Sequence, residues 1–234
     1  MKPSILLIII AFFVSSCAEL QQISREIATS EMLSEQQIAS GLQQALSKGV
    51  KEQVSKLTQE QGFYNNSLVR IGLPEELSSV ESTMRSLGLD NLADEGIQAL
   101  NTTAQEAVKE ATPIFLNAIQ NMSFEDARNI LLGEKTAATA YLRQKTRMEL
   151  YQKFEPVVKE NFQKVGADRI WENLINQYNQ VPFTENVNPN LTDYVTNEAL
   201  EGVYKMIELE EIQIRNDLNE RSTALLRRVF ALQD

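Results

Sequence analysis

The sequence predicts an all-α fold: a single multi-helix domain of about eight or nine helices that follows a signal peptide and a polar tether. Apolar residues recur every three or four positions along most of the chain, which is the spacing of one helical face. Residues that begin and end helices flank these stretches, and strand-like alternation never persists beyond a few residues. We therefore expect a leader over residues 1–16, a tether over 17–34 and the helical domain over 35–234.

The leader has the composition of a lipoprotein signal peptide. Lys2 precedes an apolar run over residues 5–14, and two serines separate that run from Cys17, the only cysteine. As a helix, this run would rise about 15 Å, roughly half of a bilayer core, so a membrane-spanning helix is not expected. The segment VSSC resembles the lipobox of bacterial lipoproteins, which implies that Cys17 becomes the first residue and carries the lipid.

The tether after Cys17 is polar, and its first residue bears on localisation. In many Gram-negative lipoproteins an aspartate at this position retains the protein at the inner membrane, and here the residue is Ala18. We expect a protein of the cell envelope, anchored by lipid to the periplasmic face of the outer membrane of a Gram-negative bacterium. The membrane is then one partner, contacted through the lipid on Cys17. With a single thiol the chain forms no internal disulfide and depends on its core.

The chain is acidic and contains no histidine. Its net charge is −10, and removal of the leader with Lys2 leaves 21 Lys and Arg against 32 Asp and Glu, a net charge of −11. Nucleic acid is not expected as a partner, because phosphates require basic surfaces. The lack of histidine removes the commonest general base and the usual zinc and haem ligand. The chain also lacks a phosphate-binding loop, a dinucleotide fingerprint and a Gly-x-Ser-x-Gly motif, so we predict no cofactor and no enzymatic activity.

The first predicted helix begins at Ser34, which can form a capping box with Gln37. Gln61 and Gly62 are expected to end it. The apolar positions of this helix step by three or four residues and predict one buried face: Ile38, Leu42, Leu46, Val50, Val54 and Leu57. The connector that follows is itself apolar, so we expect it to pack on the core.

Proline, glycine and aspartate mark the boundaries of the next helices. Pro74 suits the first turn of a second helix, and Gly88 suits its end. Asp90 is expected to cap a long third helix. Pro113 is then expected to break or kink the chain before a short apolar helix.

Further boundaries follow in the central part of the chain. Ser123 and Asp126 have the pattern of a cap, and they open a short helix that Gly133 closes. Thr136 is expected to cap the next helix, and Pro156 is expected to interrupt it.

Three more helices are predicted in the last third of the chain. Asp168 is expected to cap a helix with Trp171, the only tryptophan, on its buried face. A loop over residues 181–190 contains two prolines and three asparagines, and Asn190 caps the last long helix. Ser222 is expected to open a terminal helix.

Several long segments resemble one bacterial family, the domain of unknown function 4197 family of exported and often lipid-anchored proteins. The segments occur in this order: GFYNNSLVRIGLPEEL, KEATPIFLNAIQNMSFEDARNILLG, TAYLRQKT, KVGADRIWENLINQYN, LTDYVTNEALEGVYKMIELEEIQIR and RSTALLRRVFAL. The resemblance covers nearly everything from about Gln37 to the C-terminus. It implies a helical protein, and it brings no established activity, substrate or cofactor.

A basic cluster is the best candidate for a binding site. It consists of Arg143, Lys145 and Arg147, of which the two arginines lie one helical turn apart on the same face. They could grip a phosphate or a carboxylate. Alternatively they form salt bridges with acids of the protein itself, for which we consider three sources: Glu125, Asp126 and the Glu208–Glu211 cluster. Carboxylate oxygens within about 4 Å of both arginines would favour the structural role.

Other acidic groups predict no metal site. Glu208, Glu210 and Glu211 could supply carboxylate oxygens, but Ca²⁺ needs more ligands and the chain has no calcium-binding loop pattern. The acids of the segment FEDAR, residues 124–128, are typical of a helix N-terminus, where they complement the helix dipole. We therefore predict no metal ligands.

Three functional hypotheses remain from the sequence. The first is a non-enzymatic interaction or scaffolding module that binds an unknown envelope protein. The second is a carrier that holds an apolar or amphipathic ligand between helices, which requires an enclosed apolar pocket of about 300 Å³ or more. The third is a histidine-free carboxylate hydrolase, which requires two acids facing each other across a cleft at roughly 5–10 Å.

Overall fold

All the regular secondary structure in the described part of the chain is helical, which confirms the predicted fold class. The computed structural model describes residues 34–86, 88, 90–165, 190–217, 219–221 and 223–231. Its α-helices are α1 (Glu35–Leu57), α2 (Ser78–Ser86), α3 (Asp90–Val108), α4 (Ala111–Gln120), α5 (Phe124–Leu131), α6 (Ala137–Val165), α7 (Leu191–Asn216) and α8 (Ala224–Phe230). A 3-10 turn, Glu75–Leu77, precedes α2. None of the described helices combines the length and apolar composition that crossing a bilayer requires.

Several sequence predictions fall outside the described residues. They include lipidation of Cys17, the leader and tether before Ser34, the cap at Asp168, the buried position of Trp171 and the helix start at Ser222. The predicted total of eight or nine helices is likewise not confirmed, because residues 1–33 and 166–189 lie outside the described residues. These predictions, and the division into leader, tether and domain, stay predictions.

Helix α7 is central among the described helices. It packs against α6, α3 and α1, while α4 and α5 pack on α1 and α6, and α8 packs on α1. Because α7 has neighbours on several sides, it buries apolar residues around much of its circumference: Leu191, Val195, Ala199, Leu200, Val203, Tyr204 and Ile207. Side chains on the remaining face of α7 reach the surface and build the site described below.

Helix α1 begins as predicted and ends earlier than predicted. The Ser34 hydroxyl accepts from the Gln37 amide at 3.2 Å, and the Gln37 side chain accepts from the Ser34 amide at 2.9 Å. Leu57 is the last helical residue, and the chain then continues in turns through Gln61, whose φ is +58°. The predicted face is confirmed, with Ile38 partly buried and the other five positions buried.

The two prolines that were expected to break helices behave differently. Helix α3 ends at Val108, and Pro113 lies in the first turn of α4, where a missing N–H loses no helical hydrogen bond. The prediction for Pro156 was wrong, because α6 continues through it. Pro156 and Gln152, one turn earlier, are both exposed, so the carbonyl that loses its partner can bond water.

Candidate functional site

A row of polar side chains runs along the contact between α6 and α7. We call it the α6–α7 seam, and it consists of Arg143, Arg147 and Tyr151 on α6 and Asp193, Asn197 and Glu201 on α7. In each helix the three positions are four residues apart, so they form one line along the helix. The chain directions are opposed, so Arg143 meets Glu201 and Tyr151 meets Asp193.

Glu201 joins the two arginines of the seam. Nη1 of Arg143 lies 2.6 Å and 2.7 Å from the two carboxylate oxygens of Glu201, and Nη1 of Arg147 lies 2.5 Å from Oε1. Arg147 also donates to the Asn197 side-chain oxygen at 3.0 Å. Burial alone would raise the pKa of Glu201, but the hydrogen bonds from the two guanidinium groups outweigh it and hold that pKa below its usual value.

Aromatic residues support both ends of the seam. The Arg143 guanidinium lies 4.5 Å from the centre of the Tyr204 ring, a cation–π contact, and the Tyr204 hydroxyl is hydrogen-bonded to Thr146 at 2.8 Å. At the other end, Tyr151 donates to Asp193 at 2.7 Å, and this bond raises the pKa of Tyr151 to about 12. Arg143 is therefore fixed from below by an aromatic ring and from the side by a carboxylate.

The structure splits the predicted basic cluster. Arg143 and Arg147 share one carboxylate within the distance that favours a structural role, so an anion would have to displace Glu201. The predicted sources of that carboxylate, Glu125, Asp126 and the Glu208–Glu211 cluster, were wrong. Lys145 does not take part, because it is exposed and its ammonium group lies 5.5 Å from the Tyr141 ring centre.

The connector between α1 and the 3-10 turn is fixed beside the seam. Ile71 and Asn101 exchange two hydrogen bonds, in which the Ile71 amide donates at 2.8 Å and the Ile71 carbonyl accepts at 2.7 Å. The Tyr194 hydroxyl donates to the Gly72 carbonyl at 3.2 Å. Phe63, Val69 and Ile71 are buried, which confirms that the apolar connector packs on the core. These contacts hold residues 68–70 next to α7.

Gly202 lets the connector approach α7 closely. A Cβ at this position would lie 2.8 Å from Cε1 of Phe63 and 3.4 Å from Cβ of Val69, and Phe63 is fully buried. A larger residue would therefore push the connector outward. Gly202 has no side chain to separate α7 from the connector, and a cleft lies beside it.

The connector, α7 and Arg143 border this open cleft at the end of the seam. We call it the seam cleft. It has a volume of about 350 Å³. Its lining is Leu68, Val69, Arg70, Arg143, Glu198, Glu201, Gly202, Lys205 and Glu208. Three basic and three acidic side chains face the same small volume, and Leu68 adds an exposed apolar surface at 61% exposure.

Two of the six charged groups in the seam cleft have no ionic partner within the described part of the chain. Arg143 pairs with Glu201, and Lys205 pairs with Glu208 at 2.8 Å. Arg70 stacks its guanidinium 4.2 Å from the Tyr64 ring centre. Among the described residues, Arg70 forms no salt bridge with a carboxylate, and Glu198 forms none with a cation. Burial, together with repulsion from Glu201, raises the pKa of Glu198.

A second arginine–glutamate pair on α7 has a different environment. We call it the Glu211 cluster. The Glu211 carboxylate accepts from the first amides of α6, at 2.9 Å from Ala138 and 2.8 Å from Thr139, and from the Thr139 hydroxyl. Arg215 donates to Glu211 at 2.8 Å and to the last carbonyls of α5, including Ile130 at 2.8 Å. An acid thus caps a helix start and a base caps a helix end.

The acids that were considered for a metal have separate partners. Glu208 pairs with Lys205, Glu210 accepts from Gln53 at 2.5 Å, and Glu211 belongs to its own cluster. Within the described ranges, no three acidic or cysteine side chains are arranged to hold a metal ion. The FEDAR segment forms a helix start, as predicted, with Asp126 and Ser123 in a capping box.

Three residues of the site were not predicted from the sequence: Glu201, which completes the seam, and Arg70 and Glu198 of the cleft. The signal for the seam is present in the sequence as two rows with a four-residue spacing, of which one begins with two arginines and the other ends in a glutamate. Arg70 and Glu198 have no ionic partner among the described residues, and this carries no such signal, because it depends on which other side chains fail to reach them.

The comparisons with known proteins identify a family. The family model described as protein of unknown function (DUF4197) matches residues 32–231, so the chain belongs to this family. Comparison with curated proteins and with solved structures found no match.

Proposed function

We propose that this family member is a lipid-anchored envelope protein whose helical part is a non-enzymatic interaction or scaffolding module, with the seam cleft as its recognition surface. The observation that supports this proposal is the cleft itself, because Arg70 and Glu198 both line it without ionic partners among the described residues. Charged groups that a fold leaves unpaired at a concave surface are available to a partner. The apolar run before Cys17 supports the lipid anchor, and Ala18 after it is compatible with the periplasmic face of the outer membrane.

The geometry of the cleft supports binding better than the two other functions. A carrier for apolar ligands needs an enclosed apolar pocket, whereas charged side chains supply most of this lining. A carboxylate hydrolase needs two acids on opposite walls. Here Glu198 and Glu201 lie one turn apart on the same helix, and two arginines hold Glu201.

The anchor can be tested by replacing the thiol. We expect Cys17→Ser to release the protein from the membrane fraction or to block its processing, because no other residue can carry the lipid. Ser16→Ala keeps a small residue before the cysteine and serves as the control. Membrane association and lipid labelling that persist in Cys17→Ser would contradict the proposal.

Recognition at the cleft can be tested by site-specific photo-crosslinking in intact cells. Leu68 lines the cleft and Leu132 lies in the turn after α5, and both are 61% exposed. We expect a photoreactive residue at position 68, but not at 132, to capture a defined partner. Capture should also fail when Arg70→Gln or Glu198→Gln is introduced. Identical products from both positions, or products that ignore these substitutions, would argue against an interaction module at this cleft.

A further inference from the structure

The balance of charge in the seam cleft indicates the chemistry of what it binds. The three basic and three acidic side chains of the lining cancel, so the cleft as a whole selects neither anions nor cations. Among the described residues, the two internal ion pairs leave one guanidinium and one carboxylate available, Arg70 and Glu198. A ligand that satisfies both must carry a negative group and a positive group on one small molecule.

Arg70 is prepared to bind a carboxylate. Stacking on the Tyr64 ring uses the face of the guanidinium and orients it, while the N–H donors in its plane stay available. Backbone bonds in the connector fix its position, since the Arg70 amide donates to the Asn66 carbonyl at 2.8 Å. A planar guanidinium held in this way suits bidentate recognition of a carboxylate.

Glu198 is placed to accept a cation. It is half-buried on α7, one turn before Glu201, and burial and the neighbouring charge both disfavour its ionised form. A bound ammonium group would offset both effects by supplying the missing opposite charge and hydrogen bonds. Two basic side chains of the cleft, Arg143 and Lys205, are already engaged with Glu201 and Glu208.

We propose that the seam cleft binds a small zwitterion, a free amino acid or a short peptide, whose carboxylate pairs with Arg70 and whose ammonium group pairs with Glu198. An apolar side chain of the ligand would rest on Leu68, which is 61% exposed at the rim. The volume of about 350 Å³ is at the lower end of the range for small-molecule sites and suits a ligand of this size. This inference rests on the recognition role proposed above and names the chemical class that is recognised.

The test uses the full chain in detergent and a matched set of probes, measured by isothermal titration calorimetry. The probes are leucine, leucyl-leucine, N-acetyl-leucyl-leucine, which lacks the ammonium group, and leucyl-leucine amide, which lacks the carboxylate. We expect leucine or leucyl-leucine to bind, and each blocked peptide to bind at least about tenfold more weakly than leucyl-leucine. The tighter binder of leucine and leucyl-leucine shows whether the ligand is a free amino acid or a short peptide.

Two substitutions assign the ends of the ligand. Arg70→Gln should weaken the binding of leucyl-leucine at least about tenfold and leave the binding of leucyl-leucine amide unchanged. Glu198→Gln should weaken the binding of leucyl-leucine by a similar factor and leave the binding of N-acetyl-leucyl-leucine unchanged. Arg128→Gln and Glu149→Gln remove exposed charges of the same types that do not line the cleft, and they should leave binding unchanged.

The proposal is overturned if no probe binds at millimolar concentration, or if the blocked peptides bind as well as the free one. Equal effects of Arg70→Gln on the free peptide and the amide would also overturn it. Crosslinking at position 68 that still captures a defined partner would then show that the interaction module stands and that only the ligand class is wrong.

Discussion

Helix α7 carries two arginine–glutamate sites that differ most clearly in burial. In the Glu211 cluster, both charged side chains are 5% exposed. In the α6–α7 seam, Arg143, Arg147 and Glu201 are 37%, 41% and 45% exposed. The buried pair bonds to backbone at two helix ends, whereas the exposed group borders a cleft in which two charges have no ionic partner among the described residues. The same pairing chemistry thus stabilises the fold at one point and shapes a surface at another.

The buried pair must satisfy all of its polar groups internally. Transferring two charges out of water is costly, and their attraction compensates only when further hydrogen bonds complete the site. Glu211 accepts from two amides, a hydroxyl and Arg215, and Arg215 in turn donates to two carbonyls. Removing either partner would leave the other as a buried, uncompensated charge.

The largest expected effect follows from breaking this cluster. We expect Glu211→Ala to lower the free energy of unfolding by about 3–5 kcal/mol, because Arg215 and the first amides of α6 lose their acceptor. Urea unfolding followed by circular dichroism measures the change. Glu149→Ala removes an exposed acid of α6 and should stay within about 0.5 kcal/mol of wild type. A loss below about 1 kcal/mol for Glu211→Ala would refute the structural role.

A smaller effect is expected in the seam. Glu201→Ala removes the acceptor of both arginines, but all three side chains reach solvent and can be hydrated. We expect the free energy of unfolding to fall by no more than about 1 kcal/mol in the same assay. A loss as large as that of Glu211→Ala would mean that the seam is a second structural centre, and the contrast between the two sites would fail.

Salt provides a sharper test of the same contrast. At about 1 M NaCl the Debye length falls to about 3 Å, which screens exposed charges and leaves buried ones largely unaffected. We expect the deficit of Glu201→Ala to shrink with added salt and the deficit of Glu211→Ala to persist. Each variant is compared with wild type at the same salt concentration. Parallel changes in the two deficits would show that burial does not separate the sites.

The sequence was sufficient for features that depend on neighbours along the chain. The capping box at Ser34 and the caps at Ser123 and Asn190 were predicted because they involve residues three positions apart. The buried face of α1 was predicted from its periodicity. The prediction that Pro156 interrupts a helix was wrong, because a helix can continue through a proline when the carbonyl that loses its hydrogen bond faces water. The exposure of that carbonyl depends on tertiary packing, which the sequence does not show.

The site depends on contacts between residues that lie far apart in the sequence, and the sequence alone does not show which of them pair. Arg143 and Glu201 are separated by more than fifty positions, and many acids of the chain could have paired with the arginine. The choice is made by the register of α6 on α7, which follows from buried residues such as Tyr204 and not from the charges. The Glu211 cluster similarly requires two helix ends to meet a third helix.

The smallest expected effect compares two acids of α7 that lie one turn apart. Burial and repulsion raise the pKa of Glu198, whereas the hydrogen bonds from two arginines prevail over burial and lower the pKa of Glu201. Folded Glu198 therefore holds its proton more tightly than the unfolded chain does, and folded Glu201 holds its proton less tightly. The two carboxyls must affect stability in opposite directions as pH changes.

The signs follow from this difference. For Glu198, stability falls as pH rises from the usual glutamate pKa through the raised one, so at pH 7 its charge destabilises the fold. For Glu201, the charge contributes stability that is present above the usual pKa and is lost as pH falls through the lowered one. We therefore expect Glu198→Gln to raise the urea midpoint at pH 7 and Glu201→Gln to lower it. Both differences should diminish below about pH 4, where the wild-type carboxyls take up protons. A midpoint that falls for Glu198→Gln as well would mean that Glu198 has a cationic partner in the folded protein. The seam cleft would then lose one of the two charges that lack an ionic partner among the described residues.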